Sequence, residues 1–259
     1  RFSPVPHVAV PTTAGTGSES TGFAVVYLGG EKASVAHDCL LPDAAVLDAS
    51  LLDGLSEYQR KCTLLDALCQ AVESYWSVRS SQLSRARAAD AIRLTMGAAG
   101  GYVAGDRDAS RAMMRAANAS GKAINLTTTT APHAMSYKLT SLYGIPHGHA
   151  VALCMPLCWT ILLERGSGET RDRLREIAVL VTGRDDARAE EGLGAFEKLM
   201  GILSLNEVCA DVSEGDLALL VDGVNAERFS NFPCAITREE LAEAYCLVLR
   251  RIDGRRPRS

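Results

Sequence analysis

The sequence predicts a short α/β segment followed by a larger all-α domain, with the division near residue 53. Three observations carry that expectation. Before residue 53 the apolar residues come in short runs between glycine and proline signals, as in HVAVPTT at 7–13, FAVVYL at 23–28 and AAVLDASLL at 44–52; such runs read as strands. From Ser56 the spacing turns helical, with Leu64, Leu65, Leu68 and Val72 recurring on one face. Beyond residue 150, apolar helical stretches alternate with polar connections.

Taken in order, HVAVPTT reads as a buried strand running into a Gly/Thr turn, and FAVVYL as a strand turned by Gly29 and Gly30. AAVLDASLL reads as a buried strand ending in a loop. The segment SEYQRKCTLLDALCQAVESYWS is a helix with Ser56 as its N-cap. Arginine-rich amphipathic helices are expected over 79–104 and 107–124. Thr127 to Thr130, followed by Ala131 and Pro132, favour a break before a turn at His133. No internal repeat is present.

Composition describes a compact soluble protein, 47% apolar and 22% charged with a formal charge of −4. Nothing in that balance points to nucleic acid or a membrane surface. The terminal RRIDGRRPRS reads as a solvated end rather than a nucleic-acid arm. No apolar run is long enough to span a bilayer, and no charged-then-apolar leader opens the sequence. Eight cysteines, at 39, 62, 69, 154, 158, 209, 234 and 246, are scattered through apolar segments. They are expected to be reduced core thiols in a cytoplasmic protein. Cys154 and Cys158 lie four apart on one apolar helix, a spacing that also suits a metal, but buried thiols are the reading taken.

The chemistry concentrates in LLDALCQAVESYW, TAPHAMSY and GIPHGHAVAL. Asp66 and Gln70 stand four apart on one helix, so a carboxylate and an amide oxygen can aim at a common point. His133 and His147 can close the shell from two other segments. Three of the five histidines fall within seventeen residues, 133 to 149. Two imidazoles, one carboxylate and one weak amide make a mixed N/O set suited to Zn2+ or Fe2+, with a position left for a substrate oxygen.

PTTAGTGSES at 11–20, LPDAAVLDASLL at 41–52, LLDALCQAVESYW and HAMSYKLTSLYGIPHG occur in the order of the landmarks of the iron-containing (group III) alcohol dehydrogenases, and the chain resembles that family over most of its length. The resemblance implies a dehydroquinate synthase-like fold and a divalent metal, Fe2+ or Zn2+, at positions matching Asp66, Gln70, His133 and His147. In the family a His stands where this chain has Gln70, and a second active-site His where it has Tyr137. The same resemblance makes PTTAGTGSES the nicotinamide-side loop for NAD or NADP. Thr12, Thr13, Thr16 and Ser18 would offer hydroxyl and amide donors there, and Lys32 matches a lysine used near the cofactor. Without the resemblance the loop also fits an ordinary turn and Lys32 a surface charge. Glu73 and Asp48 read as a helix-surface and a turn residue.

In the resembling family a nucleotide-binding half precedes HVAVPTT, a domain of about 100 to 150 residues. The chain is therefore expected to be truncated at its N-terminus, with 1–53 a remnant of the α/β domain and 54–259 the helical metal-binding catalytic domain. The expected reaction is metal-dependent, NAD(P)-linked interconversion of a small aldehyde and its alcohol, by a homodimer when full length. KAINLTTTTAPHAMSYKLTSLYGIPHGHAVAL, Gln70 and VNAERFSNFPCAIT further resemble the phosphonoacetaldehyde reductases of the family. A phosphonate would need cations, and Lys122, Lys138, Arg79 and His149 are the candidates, with Tyr137 beside them. The alternatives are an inactive metal-binding remnant, or a glycerol-dehydrogenase-like or dehydroquinate-synthase-like enzyme; the TTAGTGSE loop and the Asp-x-x-x-Gln pair argue against the latter two.

Overall fold

The computed structural model describes residues 5–28, 31–206, 208–213 and 215–253, and of residues 25, 27, 28 and 31–34 the backbone alone. Gly29 and Gly30, the Lys32 side chain and the end of the basic tail, 254–259, lie outside the described residues. The chain forms two compact units, residues 1–74 with 80–128, and residues 75–79 with 129–259. Compactness therefore does not divide at residue 53. Three long helices belong with the strands because side chains from those helices fasten the strand segment down.

In the first unit, β1 (Val8–Ala9) pairs in parallel with β4 (Ala44–Ala45), and β2 (Phe23–Leu28) pairs antiparallel with β3 (Glu31–Ala36). The FAVVYL strand is thus where the sequence places it. The other two expected strands shrink to two residues each, and neither is buried: Val8 is 53% and Val10 50% exposed. After Ala45 the chain leaves the ladder because Asp48 accepts from Ser50 N (2.9 Å) and Ser50 Oγ (2.7 Å), turning residues 49–52 into a 3₁₀ segment. Val46, Leu47 and Leu51 remain exposed. The side-chain cap ends the strand that the apolar run alone suggests.

Helix α1 (Glu57–Trp76) starts at Ser56, whose Oγ accepts from Gln59 N at 3.2 Å while Gln59 Oε1 accepts from Ser56 N at 3.1 Å. Helices α2 (Gln82–Val103) and α3 (Arg107–Thr127) form a hairpin. Gly105, at φ 82°, makes its turn, and Asp106 caps α3 by accepting from Ala109 N at 2.7 Å. Arg60 on α1 is buried: Nη2 donates to Leu52 O at 2.6 Å, Nη1 reaches Ser110 Oγ at 3.3 Å, and the guanidinium lies over the Tyr102 ring. Few other side chains could satisfy three segments with one charged plane.

One face of α3 holds the Gly/Thr loop. Asn118 Nδ2 donates to Glu19 Oε1 (3.0 Å) and Ser20 Oγ (2.6 Å), and Asn125 Oδ1 accepts from Gly22 N at 2.8 Å. Between them Gly121 meets Gly17 so closely that a Cβ on Gly121 would stand 2.3 Å from Gly17 O, and one on Gly17, at φ 61°, 2.4 Å from Ala117 O. Positions 118, 121 and 125 recur at helical spacing, so a single stripe carries the loop.

The second unit contains α4 (Ala131–Tyr143), α5 (His147–Arg165), α6 (Gly168–Thr182), α7 (Ala189–Ile202), α8 (Asp216–Asp222), α9 (Ala226–Phe229) and α10 (Arg238–Ile252). Helices beyond residue 150 with polar connections agree with the sequence pattern. Trp76 is its central side chain, edge-on to Trp159 (5.7 Å) and Phe232 (6.2 Å), with Nε1 donating to Thr130 Oγ1 at 3.0 Å. Tyr245 on α10 donates to Met135 O at 2.9 Å. The threonine run breaks the chain as expected, with Thr128 at φ 58°. His133, however, lies in the first turn of α4 rather than in a turn before it, since Pro132 fits the start of a helix.

The cysteines form no disulfide, but only Cys62, Cys69, Cys154 and Cys158 are core thiols; Cys39 and Cys209 are exposed. Glu73 is fully buried rather than on a helix surface, because its face of α1 packs inward with Leu65, Cys69 and Val72. No described helix is long and apolar enough to cross a membrane.

The Gly17–Gly121 contact has a measurable cost. Gly121→Ala forces the loop off α3 and is expected to destabilise the protein by about 1 to 3 kcal/mol, read as a lower urea midpoint in equilibrium unfolding. An unchanged midpoint would show that the loop does not rest on this contact.

Candidate metal centre

Asp66 and Gln70 occupy successive turns of α1, both buried. Gln70 Nε2 donates to Asp66 Oδ1 at 3.2 Å, and Gln70 Oε1 accepts from Ser120 Oγ, on α3, at 3.2 Å. The Ser120 hydroxyl also lies 3.0 Å from Ala67 O. The Gln70 oxygen turns to Ser120 and its nitrogen to the carboxylate. An amide can donate and accept at once, whereas the imidazole of the resembling family offers a lone pair. Ser120 lies fifty residues from Gln70, and no local pattern pointed to it.

In the second unit, α4 and α5 bring His133 and His147 together, with ring centroids 5.2 Å apart at 72°. Each offers a nitrogen within 4.8 Å of the other. His133 is 3% exposed and His147 half-buried at the first position of α5. Gly144, at φ 66°, ends α4, and Pro146 starts α5, so three residues return the chain to the level of Tyr137. The Tyr137 ring stacks on His147 at 5.7 Å and 10°. Ser136 Oγ donates to His133 O at 2.8 Å and lies 3.5 Å from His147 Nδ1. A serine bonding back three residues is ordinary in a helix, so its nearness to His147 had no signal in the sequence.

The cofactor-loop residues also gather. Thr12, Thr13, Thr16 and Ser18 line one open cleft of about 460 Å³ with His7, Leu40 and Pro42. Thr16 Oγ1 and Ser18 Oγ lie 2.9 Å apart, and Thr12, Thr16 and Ser18 are exposed, so hydroxyls face a ligand-sized space.

The expected cations do not gather. His149 is 1% exposed, with Nε2 3.0 Å from Leu205 O. Burial holds its pKa below the ordinary histidine value, partly offset by that carbonyl. Buried against Leu205 O, the His149 side chain does not open onto a cleft where a phosphonate could meet it in this structure. Two residues after His147 on a helix, its side chain points into the core instead of beside the ligand position. Lys122 is exposed on α3 at a different cleft, about 540 Å³, beside Arg87, Asn118 and Asn125. Lys138 is exposed on α4 and lies along Gly223. Arg79 is exposed.

Residues 61–246 match the model of the Fe-containing alcohol dehydrogenase family, C-terminal, and residues 1–49 that of iron-containing alcohol dehydrogenase. The chain belongs to the iron-containing alcohol dehydrogenase family. The two matches fall on either side of residue 53. A phosphonoacetaldehyde reductase from Streptomyces viridochromogenes is 36% identical over 247 residues, 90% of this chain and 61% of the relative. A lactaldehyde reductase from Escherichia coli is 32% identical over 76% of this chain and 53% of the relative. Among solved structures, a sulfoacetaldehyde reductase from Bifidobacterium kashiwanohense in complex with NAD+ superposes with TM-score 0.84 at 28% identity, over 96% of this chain and 66% of that one. An iron-containing alcohol dehydrogenase from Thermotoga maritima gives 0.81 at 29%, over 95% and 64%. The chain thus spans about three-fifths to two-thirds of these relatives' length, apart from the shorter lactaldehyde reductase match.

The Asp66–Gln70–Ser120 chain is expected to act as one unit. Ser120→Ala should cost about 1 to 3 kcal/mol by leaving the buried amide oxygen without its donor. Combined with Gln70→Leu it should cost less than the sum of the two single changes. Strict additivity in denaturant unfolding would show that the two side chains are not coupled.

Proposed function

We propose that the protein is a metal-dependent, nicotinamide-linked aldehyde reductase or alcohol dehydrogenase, with Asp66, His133 and His147 holding one divalent ion. The observation that carries this reading is the His133–His147 pair, two imidazoles held side by side at the starts of two helices. One carboxylate and two imidazoles fit Zn2+ or Fe2+, and three protein ligands leave room for a substrate oxygen. Such an ion supplies Lewis-acid polarisation of a carbonyl oxygen while a nicotinamide supplies or accepts the hydride.

The residues have separate tasks. Gln70 holds Asp66 by one hydrogen bond, so the carboxylate is oriented before an ion arrives. Thr12, Thr13, Thr16 and Ser18 offer the cleft hydroxyls that would orient the nicotinamide end of NAD or NADP. Lys32 stays a candidate for the same cofactor, on the strength of the family pattern.

For the substrate we favour a small aldehyde carrying a fixed anion, phosphonoacetaldehyde first. The 36% identity to a phosphonoacetaldehyde reductase and the fold shared with a sulfoacetaldehyde reductase support it, since both names describe an acetaldehyde with an acidic head. Lys138, one residue after Tyr137 on α4, Lys122 and Arg79 are the remaining cationic candidates.

Two outcomes test the reading. His147→Ala removes one of two imidazoles and should abolish retention of Zn2+ or Fe2+, measured by elemental analysis after gel filtration; full occupancy would remove His147 from the site. In the full-length protein, phosphonoacetaldehyde should be preferred over propanal by about ten- to a hundredfold in kcat/KM, the worth of one charge-assisted pair of about 1.5 to 3 kcal/mol. Equal specificity constants would leave the alcohol dehydrogenase reading and discard the anionic substrate.

A further inference from the structure

Resting on the metal reading above, we propose that Tyr137 and Ser136 are positioning residues for His147, the tyrosine fixing the plane of its ring and the serine fixing which nitrogen carries the proton. His147 opens α5 immediately after Pro146, and no side-chain cap closes that helix start. A side chain at the first helical position has no preceding turn to brace it. On α4, Tyr137, His133 and Ser136 all lie against His147.

Tyr137 supplies one constraint. A parallel ring at 10° and 5.7 Å is an offset stack, so rotation of the imidazole about its own χ2 would lose the face contact. His133, at 72° and 5.2 Å, meets the same ring edge-on. The imidazole thus has a flat wall and an edge against it. Where the family has a second histidine, Tyr137 gives this chain a wider aromatic face with no ring nitrogen to compete for an ion.

Ser136 supplies the other constraint. Its hydroxyl has one proton, and the 2.8 Å contact to His133 O takes it. What Ser136 Oγ presents to His147 Nδ1, at 3.5 Å, is therefore a lone pair, and the complementary imidazole carries its proton on Nδ1. That bond is at the outer limit of hydrogen bonding, enough to bias a tautomer but too weak to fix a ring plane, which is why the stack is needed. With the proton on Nδ1, the Nε2 lone pair would be the one available to hold a metal ion. Because Ser136 bonds to the carbonyl of His133, one hydroxyl links both imidazole-bearing positions.

The test uses the 259-residue protein with zinc and with cobalt(II), together with Tyr137→Leu, Tyr137→Phe, Ser136→Ala and Asp66→Ala. Tyr137→Leu should weaken zinc binding about ten- to a hundredfold in chelator competition and shift the cobalt visible spectrum, while Tyr137→Phe, which keeps the stack, should restore both. Ring 15N shifts of the metal-free protein should report His147 protonated on Nδ1, and Ser136→Ala should convert it to a tautomer mixture. Wild-type affinity and spectrum in Tyr137→Leu, or equal loss in Tyr137→Phe, would overturn the role of the stack. A tautomer unchanged by Ser136→Ala would overturn the role of the serine, and this measurement needs no metal. If Asp66→Ala loses the metal while Tyr137→Leu binds normally, only this inference fails. Should Asp66→Ala bind as the wild type does, the ligand set itself fails, and the tautomer measurement still decides the positioning by Ser136.

Discussion

The chemistry proposed for this protein depends on how α4 meets α5. The two helices are joined by Gly144, Ile145 and Pro146 alone. Gly144 takes the left-handed conformation that ends α4, and Pro146 supplies a fixed φ that begins α5. A connection this short returns His147 to the flank of α4, where the residues at 133, 136 and 137 share a face. A longer or looser turn would free His147 from that face. Burial of Ile145 inside the connection, with Met135 and Leu139 on α4, keeps the hairpin from sliding.

The first unit solves a different problem by similar means. A loop rich in glycine and threonine has little apolar surface of its own, so it must be held by something rigid. The helix α3 does this along one stripe, with an asparagine above, a glycine in the middle and an asparagine below. The hydroxyls of Thr12, Thr16 and Ser18 are spared from that fastening and remain exposed in the cleft. Fastening by backbone proximity and side-chain amides uses the Ser20 hydroxyl but leaves those of Thr12, Thr16 and Ser18 available.

Gln70 and Tyr137 show one kind of substitution twice. Each stands where the resembling family has an imidazole, and each meets a proposed metal ligand through a neutral group. Gln70 donates to the carboxylate it neighbours and is itself held by Ser120. Tyr137 stacks on the imidazole it neighbours. In the proposed site, strong donors would be exchanged for residues that orient the donors that remain. The proposed ligand set is smaller in consequence, and ordered ligands lose less freedom on binding than mobile ones.

Much of this was written in the sequence. The helical spacing from Ser56, the FAVVYL strand, the threonine break and the motifs around Asp66, His133 and His147 depend on residues close together in the chain, where local periodicity and capping decide the outcome. Tertiary structure decided what depends on distant partners. The orientation of Gln70 needs Ser120 on another helix. Burial of His149 and Glu73 depends on which helix face turns inward, and a local window contains no information about that. HVAVPTT and AAVLDASLL have the composition of buried strands, but whether a strand is buried is settled by what covers it, and among the described residues each finds only the other's two-residue ladder. The sequence by itself determined which atoms could do the chemistry; the fold decided which of them face one another, because a hydrogen bond or a ring contact across a hundred residues is set by packing and not by spacing along the chain.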